Sequence, residues 1–193
     1  MLNMLIEILL SMLLLIPVFC VLNKCRFHDS KKTALYFVFA TYLSVVYLLV
    51  GMPTLQFMRF DLSLTLIPFL PMIADLKNTI LNIILFVPLG IMLPFLWKKY
   101  NTLKAALMFG FGMSLAIEIL QILTYRATDI NDIIANTVGT VLGYFIFRIT
   151  SCVFPSVMKF ARKKNEISVV ALSVFLAMFF VQPYLASLYY QIT

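Results

Sequence analysis

The sequence predicts an all-α fold, a polytopic transmembrane helical bundle of about six spans with an interfacial or re-entrant segment between spans two and three. Three observations point there. Of the 193 residues 63% are hydrophobic and only 12% are charged, too little polar surface for a water-soluble chain of this length. The apolar residues fall in continuous blocks of about 20, the length that crosses a bilayer as a helix, and barrel strands would instead alternate over short segments. The charged residues collect between the blocks, with one sign concentrated in every second connection.

In chain order the spans fall at about 2–22, 33–51, 78–97, 103–124, 133–150 and 167–190. The first block follows the initiator Met with no basic stretch before it and no small-residue cleavage site after it, so it reads as a retained span rather than a signal peptide. Span two is followed by a long connection, 52–77, which contains Pro53, Pro68 and Pro71 and is apolar from Leu62 to Ile73. That apolar run is too short to cross, which places it in the interface or as a re-entrant dip. Pro88 and Pro94 are expected to kink span three. No repeat, low-complexity tract or long linker divides the chain, so 1–193 reads as a single membrane domain.

The net charge of +7 does not indicate nucleic acid, because of where the cations lie. Lys24, Arg26, Lys31 and Lys32 follow span one; Lys98, Lys99 and Lys104 separate spans three and four; Arg148, Lys159, Arg162, Lys163 and Lys164 end or follow span five. Only Arg59, Lys77 and Arg126 fall on the other side. By the positive-inside rule the three basic connections are cytoplasmic and both termini are outside. A basic run such as 159–164 reads first as a topology determinant and second as a contact for lipid headgroups. Cys20, Cys25 and Cys152 then fall at the inner half or cytoplasmic face, where a structural disulfide is not expected. His28 is the single histidine and lies in a basic loop, so no histidine-ligated metal site or Ser/His pair is expected, and no cofactor.

Polar residues inside spans are costly and therefore informative. Span four carries Ser114, Glu118 and Gln121 on one helical face; span five carries Asp132, Asn136, Gly139, Thr140 and Gly143 on one face; span three carries Asn78 and Asn82 one turn apart. With the orientation above, Asn82, Glu118, Gln121, Asp132 and Asn136 lie within about two turns of the outer surface, and the turn between spans four and five adds Arg126 and Asp129 at that level. These seven residues form the candidate site, a polar pocket in the outer leaflet. Each also has a structural reading. Amides and hydroxyls join helices, Gly139 and Gly143 make a close-packing face, Asp129 or Asp132 caps span five, and Arg126 pairs with Glu118 or Asp129 to lock the turn.

The segments L-T-L-I-P-F (64–69), N-x3-F-V-P-L-G (82–90) and S-x3-E-x2-Q-x4-R-x2-D-x2-D-x3-N-x2-G-x3-G (114–143) resemble the VanZ-like family, over roughly residues 33–150. The resemblance implies a small membrane protein of a Gram-positive cell envelope connected with lowered sensitivity to teicoplanin and similar lipid-tailed glycopeptide antibiotics. The family's polar motif falls on Asn82, Glu118, Gln121, Arg126, Asp129, Asp132 and Asn136. Three functions are compatible with it. The first is a lipid-binding module that holds a membrane lipid or lipid-tailed glycopeptide, its head on the polar group and its tail among spans three to five. The second is an enzyme that modifies a lipid or cell-wall precursor headgroup through Glu118 with Asp129 or Asp132, although no nucleophile motif or phosphate-cradling loop accompanies them. The third is a non-catalytic envelope assembly or transport helper; the near absence of ionisable groups from the inner halves of spans three to five weighs against a transport path.

Overall fold

The computed structural model describes residues 2–56, 58, 60, 64–65, 72, 75–124, 128–161 and 164–192. Six stretches of helix among them are long and apolar enough to cross a membrane, with ends within three residues of those expected from hydropathy, except that the first continues to Phe27, five residues past the expected end. The differences have a local cause. Asp29, Asp75 and Asp129 act as N-caps, so helices two, three and five start at the polar cap, ahead of the apolar block. The chain packs as two compact units, 1–59 with 166–193, and 60–165. The family-like stretch 33–150 coincides with neither, since the second span lies in the first unit.

In the first unit, α1 (Leu2–Leu22) continues into a π-helical turn, Asn23–Phe27, which ends at His28 in the left-handed conformation, φ 51°. The Asn23 side chain fastens this corner by accepting from the Asp29 N–H at 3.1 Å and the Thr33 hydroxyl at 2.9 Å. Helix α2 (Ser30–Leu49) follows, with the Asp29 carboxylate accepting from the Lys32 N–H. The last span consists of α6 (Ile167–Leu176), a π-helical turn at Ala177–Val181, and α7 (Gln182–Ile192). Within that wider turn the Phe179 carbonyl accepts from the Leu55 N–H at 3.1 Å, which ties the chain leaving α2 to the last span.

The second unit holds α3 (Leu76–Leu96), α4 (Leu103–Gln121) and α5 (Ile130–Val153). Helix α3 runs unbroken through Pro88 and Pro94. Its seam with α5 is made by glycine. A Cβ on Gly143 would collide with the Val87 carbonyl, one on Gly139 with the Ile83 carbonyl, and one on Gly90 with the Thr140 carbonyl. Gly110 of α4 faces the Thr140 side chain just as closely. Backbone against backbone at this range is the packing that small residues permit where no hydrophobic force acts between helices.

The described part of the connection after α2 includes one strand. Strand β1 (Leu64–Thr65) pairs in parallel with β2 (Thr128–Asp129), in the register Leu64 to Thr128 and Thr65 to Asp129. The interfacial or re-entrant run expected over 62–73 lies largely outside the described residues, as does the proline pair Pro68 and Pro71.

Candidate functional site

The N-termini of α3 and α5 and the C-terminus of α4 share one end of the second unit, because the three helices alternate in direction and β1 pairs beside the start of α5. Both helix N-caps there are acidic. Asp75 accepts from the Asn78 N–H at 3.2 Å and from its side-chain amide at 2.5 Å. Asp129 accepts from the Asn131 N–H at 2.9 Å and the Asn131 amide at 2.7 Å. Negative groups at helix N-termini are favoured by the exposed N–H groups and the helix dipole.

Glu118 lies at the opposite pole of a dipole, three residues before the end of α4, and is only 2% exposed. Its Oε2 accepts from the Asp129 N–H at 2.8 Å. In a capping box the residue at the third helical position reaches back to the N–H of the cap. In α5 that residue is Asp132, which points elsewhere: its Oδ1 accepts from the Asn82 amide of α3 at 2.6 Å. Glu118 of the neighbouring helix therefore takes the place of the missing acceptor, and the start of α5 is held from both sides. Glu118→Leu is expected to strand the Asp129 N–H, at about 1–3 kcal/mol, and to speed exchange at that amide by roughly tenfold or more, whereas Glu118→Gln keeps an acceptor and most of the protection. Hydrogen exchange of the 128–132 segment in detergent reads the difference.

One turn deeper, Asn136 of α5 donates its amide to the Ser114 hydroxyl of α4 at 2.8 Å. Asn136 is 3% exposed, and its Oδ1 has no hydrogen-bond partner among the described residues. Turning the amide over would satisfy that oxygen through Ser114 and leave the nitrogen unpaired instead, so one polar atom stays unmatched in either placement. Thr140 does not supply it, since its hydroxyl donates to the Asn136 backbone carbonyl at 3.1 Å.

Six of the seven residues expected from sequence are described, and they gather here. Glu118, Gln121 and Asn136 are buried, and Asn82, Asp129 and Asp132 are half-buried. Gln121 is the last residue of α4, and its carbonyl accepts from both the N–H and the hydroxyl of Thr124 in the turn that follows. Arg126 and its expected ion pairs lie outside the described residues. Of the two capping candidates, Asp129 is the cap and Asp132 is the bridge to α3. Asn78 turns away to Asp75 and is exposed. Sequence reasoning left out Asp75 and the buried Asn131; the signal for each was present, an acidic residue three before an amide and an Asp-x-Asn at the start of an apolar run. Among the described residues no group of three or more acidic, histidine or cysteine side chains is placed to hold a metal ion.

The six spans together with a polar cluster shared by three helices define a multi-pass helical membrane protein. By sequence the chain belongs to the VanZ/LLP1 family, which matches residues 8–151. It is similar to Protein VanZ of Enterococcus faecium, with 37% identity over 90 residues, 46% of this chain and 55% of that protein. The chain thus spans about half the length of the curated relative it matches. No solved structure matches it.

Proposed function

We propose that this chain lowers the sensitivity of a Gram-positive host to teicoplanin and related lipid-tailed glycopeptides by holding an amphiphile, the antibiotic or a cell-wall lipid, at the polar end of α3, α4 and α5. The reading is supported above all by the convergence of buried polar groups from three helices at one end, with Glu118 and Asn136 almost fully enclosed. Such groups are costly inside apolar helices, and a ligand head that donates and accepts hydrogen bonds is one way to offset that cost. In this reading the polar end faces outward, both termini are outside, and the apolar flanks of α3 to α5 accommodate an acyl tail. Arg126 supplies the planar donor pair that suits a carboxylate or phosphate. The similarity to Protein VanZ points the same way.

The test is susceptibility of a sensitive Gram-positive host that expresses the wild type, Glu118→Gln or Arg126→Ala at matched membrane levels. The wild type is expected to protect against teicoplanin and leave vancomycin susceptibility unchanged, and both variants are expected to lose protection. Protection by neither wild type nor variants would overturn the reading, and full protection by Arg126→Ala would remove that side chain from it.

A further inference from the structure

The opposite end of the second unit has a different chemistry. The chain leaves α3 through a 3₁₀ turn that carries Lys98 and Lys99, enters α4 with Lys104 in its first turn, and leaves α5 shortly after Arg148. After a second 3₁₀ turn at Pro155–Phe160 it reaches Lys164. These five cations are all exposed. They are gathered by contacts between the three segments. The Tyr144 hydroxyl of α5 donates to the Asn101 carbonyl at 2.9 Å, the Phe95 and Phe160 rings lie 5.4 Å apart, and Tyr100 shares a side-chain hydrogen bond with Asn165.

No described carboxylate of this unit balances Lys98, Lys99, Lys104 or Arg148. Asp75, Glu118, Asp129 and Asp132 all lie at the other end, and Glu166, next in the chain, is buried in the first unit against Lys32. Beside the cations two large rings are turned outward, Phe154 at 60% exposure and Phe160 at 49%. Cations that flank exposed aromatics at the ends of membrane helices suit a molecule with an anionic head and an apolar body. A soluble anion would use the cations and leave the rings in water.

From this arrangement we propose that the face formed by Lys98, Lys99, Lys104 and Arg148, with Phe154 and Phe160, is a docking surface for anionic phospholipid. The phosphate lies among the cations and the upper part of the acyl chains lies against the two rings. Attraction between each such cation and an anionic bilayer surface corresponds to about fivefold in affinity, falling as salt screens it. This surface is independent of the polar cluster at the other end, and either assignment stands or falls alone.

Native mass spectrometry of the full chain in neutral detergent reads the surface directly, with phosphatidylglycerol, phosphatidylcholine of the same acyl chains, and glycerol phosphate as probes. The wild type is expected to retain phosphatidylglycerol in severalfold excess over phosphatidylcholine and to retain little glycerol phosphate. Lys98→Gln/Lys99→Gln/Lys104→Gln is expected to bring the two lipids to near parity, and the corresponding triple Arg variant, which keeps charge and fold, to preserve the excess. Phe154→Ser/Phe160→Ser is expected to weaken retention of both lipids. Equal retention of both lipids by the wild type, or an unchanged excess in the triple Gln variant, overturns the proposal. Glycerol phosphate bound as well as the lipid overturns it in favour of a soluble anion. Parity in the wild type, with an acidic protein held by the wild type and lost from the triple Gln variant, overturns it in favour of a protein partner.

Discussion

Gly143→Leu is expected to prevent the second unit from assembling. The first side-chain atom would already overlap the Val87 carbonyl and approach the Gly90 Cα at 2.9 Å, so a change of rotamer offers no relief. Overpacking that side chains can absorb costs about 1–3 kcal/mol, and here the backbones of α3 and α5 would have to part over their whole contact, so the loss lies at or beyond the upper end of that range. Separation would also remove the Asn82 to Asp132 hydrogen bond and with it the polar cluster. Gly112, which has open space around it on α4, is the control: Gly112→Leu is expected to leave the fold unchanged. Size-exclusion profile and thermal stability in detergent check both, and a monodisperse Gly143→Leu protein with unchanged stability would refute the close approach of the two helices.

The second large effect belongs to the first unit. Lys32 Nζ lies 2.5 Å from Glu166 Oε2, the Tyr36 hydroxyl donates to the same oxygen at 3.2 Å, and the Phe27 and Tyr36 rings lie 5.2 and 5.6 Å from the ammonium. The Glu166 side chain is fully enclosed and that of Lys32 is 12% exposed. Lys32→Met removes one charge and leaves the other enclosed, at about 3–5 kcal/mol, whereas Lys32→Met with Glu166→Leu is expected to recover most of the loss, because a buried pair gains little over well-packed apolar side chains. The double-mutant cycle, read as thermal stability in detergent, separates the two contributions. Equal stability of Lys32→Met and the wild type would show that the pair does not hold α2 to α6.

That ion pair also marks a limit of sequence reading. Lys32 was legible as one cation of a basic connection, and Glu166 has no local pattern that singles it out; their meeting depends on helices more than a hundred residues apart in sequence. The candidate site was more legible, because its signals are local. Ser114, Glu118 and Gln121 share a face by helical spacing alone, and the apolar block around them makes each polar atom conspicuous. Which partner each takes was not legible. Asp129 and Asp132 both satisfy the pattern of an N-cap, and only the position of Asn82 on α3 decides that Asp132 turns away from α5, leaving the cap's N–H to Glu118. Gly90 shows the same division. It was visible as a small residue after Pro88, and its closeness to Thr140 and Gly143 depends on how α3 lies against α5.

What the sequence determined by itself was the helical, multi-pass character of the chain, the number and extent of its spans, and the identity of the polar residues inside them. The bilayer imposes these directly: a span must be apolar, about 20 residues long and hydrogen-bonded within itself, and each condition is written in contiguous residues. Tertiary structure alone decided the glycine seam between α3 and α5, the use of Glu118 to complete the cap of α5, the parallel pairing of Leu64–Thr65 with Thr128–Asp129, and the enclosure of Glu166 against Lys32. In a bundle the apolar faces of the helices are nearly alike, so which faces meet is selected by close fit and by the pairing of a few polar atoms, and those depend on residues far apart in the chain.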